Sequence, residues 1–170
     1  MEDEKIEVLL KGKEKIRILF VCLGNICRSP AAHGIMEKLI AESGKTGDIE
    51  IDSAGLYSGH AGELPDHRMR IHARRRGYEL THRSRPVKMS DFDDFDLIVG
   101  MDNSNYDRLR GFAPTVEAKD KVVRMIDFVN GFPQYDYVPD PYYEGSEGFE
   151  LVLDMLEDGC GNMLRALRKG

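Results

Sequence analysis

A cysteine and an arginine six positions apart are the residues of this sequence best suited to chemistry. Cys22 closes the apolar run ILFVC, and Arg28 follows across the loop LGNIC, directly before Ser-Pro. A loop of this length, with Gly24 easing its turn, can aim successive backbone N–H groups at one bound anion. The guanidinium of Arg28 adds two donors that match a pair of phosphate oxygens. The spacing therefore predicts a cradle for a tetrahedral oxyanion with a thiol beneath it.

The same surroundings favour the thiolate form of Cys22. An arginine and the positive end of a helix dipole both stabilise negative charge at this point. A thiolate beneath a bound phosphate is a nucleophile. An inert buried thiol is the alternative interpretation of Cys22, but it does not explain why glycine, asparagine and arginine occur together in the loop.

A carboxylic acid suited to proton transfer lies far along the chain, in the segment VPDPYY. Asp140 stands between Pro139 and Pro141, which keep it out of helical conformations and stiffen an extended loop. Displacing a phenolate from phosphorus needs a proton donor opposite the nucleophile, and the same carboxylate can later activate water. An ordinary turn is the alternative interpretation of this segment taken alone. Tyr142 and Tyr143 would line a pocket wall against which an aromatic ring stacks.

Apolar periodicity predicts alternating strands and helices around these residues. The continuous run IRILFVC is typical of a strand buried on both faces, and a helix with Ser29 as its N-cap follows it. Further strands are expected at DIEIDSAG, FDLIVGMD and KVVRMIDF, and further helices at about 66–76, 103–112 and 146–167. This alternation predicts a doubly wound α/β fold with a mainly four-stranded parallel sheet and helices on both faces. Cys22 and Asp102 would both lie at the carboxyl ends of strands, where ligands bind.

Composition argues against several classes of protein. The 170 residues suffice for one sizeable core, and a formal net charge of -6 with mixed signs argues against a nucleic-acid partner. The basic stretch RMRIHARRR is interpreted as a solvated helix face. No apolar run suits a signal peptide or a membrane span, and three cysteines, an odd number, fit a disulfide-built secreted fold poorly. We therefore expect a soluble cytoplasmic protein with reduced thiols and no membrane partner.

No metal or cofactor is expected from the sequence. The five histidines are scattered, and no pair has the spacing of zinc ligands on one helix. The acidic segment SDFDDFD lacks the glycine and the terminal glutamate of a calcium loop, so we interpret it as a solvated turn. Cys160 is interpreted as a structural or surface thiol.

Two separated motifs carry a family resemblance. The segment VCLGNICRSP resembles the phosphate loop of the low-molecular-weight protein tyrosine phosphatases, and DPYY resembles their general-acid loop. The resemblance runs from about residue 17 to near the C-terminus. It divides the chain into an N-terminal extension over residues 1–15, expected to be partly ordered, and a phosphatase domain over residues 16–170.

The resemblance implies a fold and an activity. The fold would be of the phosphotyrosine phosphatase I-like type. The activity would be hydrolysis of phosphotyrosine in proteins, and of small aryl phosphates, through a phosphocysteine intermediate. No cofactor is implied, and phosphate and vanadate are the expected inhibitors.

The resemblance also implies roles for individual positions. Cys22 matches the nucleophile, Arg28 the phosphate clamp and Asp140 the general acid. The positions expected to bind phosphate or substrate are Leu23, Gly24, Asn25, Ile26, Cys27, Ser29, Tyr142 and Tyr143. The positions expected to support the loop are Ser53, His82 and Asp102. Cys27 matches a cysteine that can form a reversible disulfide with the nucleophile.

One wall of the pocket departs from the family pattern. Bacterial members commonly continue after DSAG with a threonine and, a few residues on, an aromatic residue beside the substrate ring. The corresponding positions here are Leu56 and Gly59. Tyr57 is the candidate to replace that aromatic residue.

Three other functions remain open. A phosphoarginine phosphatase of the same family tends to have threonine at position 26 and no tyrosine at position 143. This chain has Ile26 and Tyr143, and both residues favour phosphotyrosine as the substrate. An arsenate reductase needs further thiols on a mobile segment, and THRSRPVKMSDFDD contains none, which leaves Cys27 alone. A non-catalytic phosphate-binding module should have lost the nucleophile, the arginine or the acid, and this chain retains all three.

Overall fold

Four short parallel strands form the sheet on which the site is built. The computed structural model describes residues 2–44 and 47–169. Its strands are β1 (Ile16–Cys22), β2 (Ile49–Gly55), β3 (Leu97–Gly100) and β4 (Val122–Arg124), and they pair in the order β2-β1-β3-β4. Strand β1 is central because it pairs with both β2 and β3. The cysteine that closes it therefore lies in the middle of the carboxyl edge of the sheet.

Helices cover both faces of this sheet. In chain order they are α1 (Glu2–Leu10), α2 (Arg28–Ser43), α3 (His67–Arg75), α4 (Asp91–Asp94), α5 (Asn103–Phe112), α6 (Val116–Asp120) and α7 (Ser146–Lys169), with a 3-10 helix at Met125–Phe128. Alternate residues of β1 enter two separate apolar cores. Ile18 and Phe20 pack with α2 and α7, whereas Leu19 and Val21 pack with α4, α5 and α6. The predicted doubly wound α/β fold is confirmed.

Two local predictions about helix and strand ends are wrong. Helix α2 starts at Arg28, and Cys27 occupies the N-cap position without a side-chain capping bond, so Ser29 is not the cap. Its hydroxyl instead lies against the sulfur of Cys22. The expected strand KVVRMIDF ends at Arg124, where the chain turns into the 3-10 helix and Arg124 pairs with Asp127.

Two charged segments are less solvated than predicted. Asp91, in the acidic segment, is fully buried and pairs with Arg85 at 3.0 Å. Arg76, at the end of the basic stretch, reaches across to three carboxylates of α7, which belong to Glu150, Asp154 and Glu157. These ion pairs fasten the loop after α3 and the end of α3 to the rest of the fold. Cys160 is fully buried.

The N-terminal segment forms helix α1, where the sequence predicts a partly ordered extension. Ile6 and Leu10 are 1% and 6% exposed, and both belong to the core under α7. They lie four residues apart, so they share one face of the helix. The division of the chain at residue 15 stays a prediction. Among the described residues, no helix is both long and apolar enough to cross a lipid bilayer.

The docking of α1 predicts a loss of stability when Ile6 is shortened. Ile6→Ala should lower the free energy of unfolding by about 2 to 4 kcal/mol, because it removes buried methyl groups and leaves a cavity. Val8→Ala is the matched control on the same helix, since Val8 is 78% exposed. It should change the free energy by no more than about 0.5 kcal/mol. Urea denaturation measures both, and equal effects of the two variants would contradict the packing.

Candidate active site

The loop between β1 and α2 surrounds a pocket at the carboxyl edge of the sheet. The pocket has a volume of about 240 Å³. The residues that line it are Cys22, Leu23, Gly24, Ile26, Cys27, Arg28, Tyr57, His60, Asp140, Tyr142 and Tyr143. Nine of these are site residues predicted from the sequence. The predicted residues Asn25 and Ser29 are fully buried and do not line the pocket.

The sulfur of Cys22 lies at the base of this pocket beside two donors from Ser29. The hydroxyl oxygen of Ser29 is 3.0 Å from the sulfur, and the backbone N–H of Ser29 donates to the sulfur over 3.4 Å. A thiolate can accept both hydrogen bonds. The N-terminus of α2, which begins at Arg28, adds its positive dipole end. The local field therefore favours negative charge on Cys22.

Hydrogen bonds from one nitrogen anchor the guanidinium of Arg28. One nitrogen, Nη1, donates to Asp102 Oδ2 at 2.8 Å and to the backbone carbonyl of Val138 at 3.0 Å. The other nitrogen, Nη2, lies 3.7 Å from Asp140 Oδ2. Burial alone would lower the pKa of Arg28, but the negative charge of Cys22 and the hydrogen bond to Asp102 outweigh it and raise that pKa. The buried guanidinium therefore stays charged, with Nη2 on the pocket side.

Asn25 fixes the shape of the loop. It is the one non-glycine residue with a positive φ, 55°, in the described part of the chain. Its Nδ2 donates to the hydroxyls of Ser29 at 2.7 Å and Ser53 at 3.1 Å. Its Oδ1 accepts from His82 Nε2 at 3.2 Å and from the backbone N–H of Arg85 at 3.1 Å. The structure thus brings together Asn25 and the partners that the sequence predicts for it.

Since Asn25 Oδ1 is an acceptor, His82 must donate from Nε2. Burial, with a further contribution from the neighbouring His33, lowers the pKa of His82. The neutral imidazole with its proton on Nε2 fits both observations. His33 contacts the same network, because its Nδ1 lies 3.1 Å from the hydroxyl of Ser53.

The acid loop closes the opposite side of the pocket. Asp140 is half-exposed, and its Oδ1 accepts from the backbone N–H of Tyr142 at 3.1 Å. The rings of Tyr142 and Tyr143 meet edge to face with centroids 4.9 Å apart. Tyr142 is packed against the core, whereas Tyr143 is 90% exposed. The carboxyl group of Asp140 is thus placed where it can exchange a proton with a group bound above the thiol.

Tyr57 and His60 form the wall that departs from the family pattern. Their rings meet edge to face at 5.7 Å, and Tyr57 is 54% exposed. A Cβ added at Gly59 would lie 2.1 Å from the ring of Tyr57. An aromatic side chain at position 59 is therefore incompatible with this placement of Tyr57. His60 was not predicted, because a single histidine in a glycine-rich loop carries no sequence signal.

Three further residues, Gly55, Asp66 and Arg68, connect the site to its surroundings and were also not predicted. A Cβ on Gly55 would lie 2.9 Å from the carbonyl oxygen of Leu23, so only glycine permits this close approach of β2 to the loop. Arg68 lies over the ring of Tyr142 at 5.3 Å and is paired with Asp66. Asp66 in turn donates its backbone N–H to the carbonyl of Ile26 at 2.7 Å. The motif Asp-x-Arg at the start of α3 is the available sequence signal for this link.

Cys27 differs from Cys22 in its electrostatics. Burial, with the negative charges of Asp66 and Cys22, raises the pKa of the Cys27 thiol far above its ordinary value. Cys27 therefore carries a proton under conditions in which a neighbouring thiolate can form. Cys22, Cys27 and Cys160 are all free thiols, and the disulfide between Cys22 and Cys27 stays a prediction.

Two substitutions at Asn25 separate the stability that its side-chain hydrogen bonds contribute from the cost of its positive φ. Asn25→Gly should lower the free energy of unfolding by about 1 to 3 kcal/mol, because it deletes the side-chain hydrogen bonds and leaves buried partners unsatisfied. Asn25→Ala should cost about 1 to 2 kcal/mol more, because alanine resists a positive φ. Chemical denaturation measures both. Wild-type stability in Asn25→Gly would contradict the structural role of the amide.

Comparisons with known proteins agree with this geometry. Residues 17–170 match the family described as low molecular weight phosphotyrosine protein phosphatase. A low-molecular-weight protein-tyrosine-phosphatase of Bacillus subtilis is 41% identical, over 91% of this chain and 97% of the relative.

Solved structures give the same result. A crystal structure of a protein tyrosine phosphatase from Entamoeba histolytica is 46% identical with a TM-score of 0.88, over 92% of this chain and 99% of that one. A crystal structure of a Drosophila arginine phosphatase is 32% identical with a TM-score of 0.82, over 88% of this chain and 96% of that one. The resemblance seen in the two motifs is confirmed, and the chain belongs to the low-molecular-weight protein-tyrosine-phosphatase family.

Proposed function

We propose that this chain hydrolyses phosphotyrosine in proteins, and small aryl phosphates, with Cys22 as the nucleophile, Arg28 as the phosphate clamp and Asp140 as the general acid. The observation that carries the proposal is the convergence of these three side chains on one pocket. A thiol, a rear-anchored guanidinium and a half-exposed carboxyl group are together sufficient for a two-step phosphoryl transfer.

The first step transfers the phosphoryl group to sulfur. The phosphate dianion binds in the loop, where backbone N–H groups and Arg28 Nη2 neutralise its oxygens. The thiolate of Cys22 attacks phosphorus, and the sulfur–phosphorus bond forms as the bond to the phenol oxygen breaks. Asp140, protonated at this stage, gives its proton to the departing oxygen. Tyrosine leaves as a neutral phenol.

The second step releases phosphate. Asp140 is now a carboxylate and takes a proton from a water molecule, whose oxygen attacks phosphorus. The sulfur–phosphorus bond breaks, and the electron pair returns to Cys22 as a thiolate held by the two donors of Ser29. The product phosphate occupies the same cradle as the substrate. Phosphate therefore inhibits by competition, and vanadate inhibits more tightly because it resembles the five-coordinate transition state.

The pocket wall supports an aromatic substrate. Tyr57, Tyr142 and Tyr143 all line the pocket, and aromatic rings favour edge-to-face or offset contact with a phenyl group. Phosphoarginine is the second candidate substrate, because an arginine phosphatase is among the similar structures. Ile26 and Tyr143 argue against it in this chain. Arsenate reduction is not supported, because Cys160 is fully buried and the loop over residues 81–94 contains no thiol.

A reducing cellular compartment suits this chemistry. The mechanism requires Cys22 as a free thiolate, and neighbouring Cys27 lines the same pocket. We therefore propose that the enzyme works in the cytoplasm, where thiols are kept reduced.

Replacement of the nucleophile and of the acid should have different effects. Cys22→Ser should abolish turnover of an aryl phosphate while phosphate or vanadate still binds, because the cradle remains. Asp140→Asn, which keeps the size of the side chain, should slow turnover by about 10²- to 10⁴-fold for poor leaving groups and much less for good ones. Steady-state kinetics with a series of substituted phenyl phosphates measures both. A fully active Cys22→Ser variant would exclude this mechanism, and equal losses across the series would remove Asp140 as the acid.

Substrate preference is tested with paired peptides. A phosphotyrosine peptide should give a higher kcat/KM than the same peptide carrying phosphoarginine, because the pocket offers three aromatic rings and no carboxylate besides Asp140 among the residues that line it. Free phosphate release measures both rates. Faster release from phosphoarginine would assign the chain to the alternative substrate.

A further inference from the structure

Three side chains with metal-ligating atoms meet behind the phosphate loop, outside the pocket. They are His33 on α2, Asp52 on β2 and His82 in the loop after α3, and one ligand atom of each lies within 4.8 Å of the other two. Their sequence spacing gives no sign of a metal site, because the fold brings together residues from three separate elements. We propose that His33, Asp52 and His82 bind a divalent transition-metal cation, with Zn²⁺ as the best match.

His82 is oriented with one ring nitrogen toward Asp52. Its Nε2 donates to Asn25 Oδ1, as shown above, so Nδ1 is the nitrogen on the side of Asp52. Nδ1 lies 3.5 Å from Asp52 Oδ1, which is too long for a normal hydrogen bond. Adjacent nitrogen and oxygen ligands of a tetrahedral zinc ion are about 3.3 to 3.5 Å apart, given bonds of about 2.0 to 2.2 Å. A cation between these two atoms fits the observed separation.

Hydrogen bonds from neighbouring residues support His82 and Asp52 as ligands. Metal-binding histidines usually donate their second ring N–H to a carbonyl or carboxylate, and metal-binding carboxylates are themselves hydrogen-bonded. Here Asn25 accepts from His82, and Arg85 donates to the other oxygen of Asp52, Oδ2, over 3.1 and 3.2 Å. Asp52 Oδ1 also accepts the backbone N–H of Ser53 at 2.8 Å. Both ligands are thus oriented before any ion arrives.

Solvent access and local charge also favour a cation at this cluster. A cleft of about 230 Å³, lined in part by His33, Glu37 and His82, opens next to the cluster. Glu37 is exposed and lies 3.3 Å from His33 Nε2, so its carboxylate adds negative charge beside the cluster. Arg85 is the opposing positive charge, but its guanidinium is shared between Asp52 and Asp91. Together with Glu37, these carboxylates leave the surroundings negative and favourable to a cation.

The proposed metal site is adjacent to the phosphate loop. His82 contacts Asn25 and His33 contacts Ser53, so both imidazoles interact with residues whose hydrogen bonds hold the loop. A bound ion would stabilise the folded state by linkage, because the unfolded chain does not assemble the three ligands. The unfolding temperature should therefore rise with Zn²⁺ concentration.

The test must separate this cluster from the pocket thiols, because thiolates are also zinc ligands. Isothermal titration with Zn²⁺ is performed in a Cys22→Ser background, and the Co²⁺-loaded protein is examined by absorption spectroscopy. We expect one equivalent of Zn²⁺ to bind and the Co²⁺ spectrum to lack the intense bands of thiolate ligation. Binding that disappears in Cys22→Ser, or a spectrum with thiolate bands, would overturn the proposal.

Matched variants locate the ion. His33→Gln, which can still contact Ser53, and Asp52→Asn should each weaken Zn²⁺ binding by at least about tenfold. His67→Gln on α3 is the control, because His67 is exposed and lies outside the cluster. Circular dichroism shows that each variant is folded before titration. Unchanged affinity in both folded variants, or an equal loss in His67→Gln, would overturn the assignment.

Discussion

The side-chain amide of Asn25 is the interaction on which the phosphate loop depends. It holds a residue with φ of 55° by using both its donor and its acceptor ends. Through Ser29 it reaches α2, through Ser53 it reaches β2, and through His82 it reaches the loop after α3. The adjacent helix α2 and two elements distant in sequence thereby fix one turn. Without them the backbone would relax to a negative φ, and its N–H groups would no longer converge.

The cradle is consequently formed before substrate binds. Arg28 is anchored by Asp102 and the carbonyl of Val138, and the far side of the loop is tied to α3 through Ile26 and Asp66. Donors that are already oriented need no reorganisation when charge moves from phosphorus to the leaving oxygen. The acid loop is the more exposed part of the site, with Tyr143 almost fully accessible. The enzyme thus combines a rigid anion site with an open aromatic entrance.

Sequence alone predicted the parts of the molecule that depend on local pattern. The strand before Cys22 and the short spacing to Arg28 have local physical causes, so the fold class and the cradle followed from them. Among the contacts set by tertiary packing, those of Ser53, His82, Asp102 and Asp140 with the loop and Arg28 were expected only through the family resemblance, and others were not predictable. The ring of Tyr57 over Gly59 and the meeting of His33 with His82 depend on how loops pack across strand ends. Buried Asp91 was misjudged because its partner, Arg85, could not be identified from spacing.

In the proposed mechanism, the thiolate of Cys22 in this cradle forms a covalent bond to phosphorus during turnover. Rapid acid quench of the enzyme with an aryl phosphate, followed by mass spectrometry of its peptides, detects that bond. Phosphate is expected on Cys22 within the first turnover and not on Ser29 or Cys27. Steady product release without any phosphorylated Cys22, or phosphate on Ser29 instead, would contradict it.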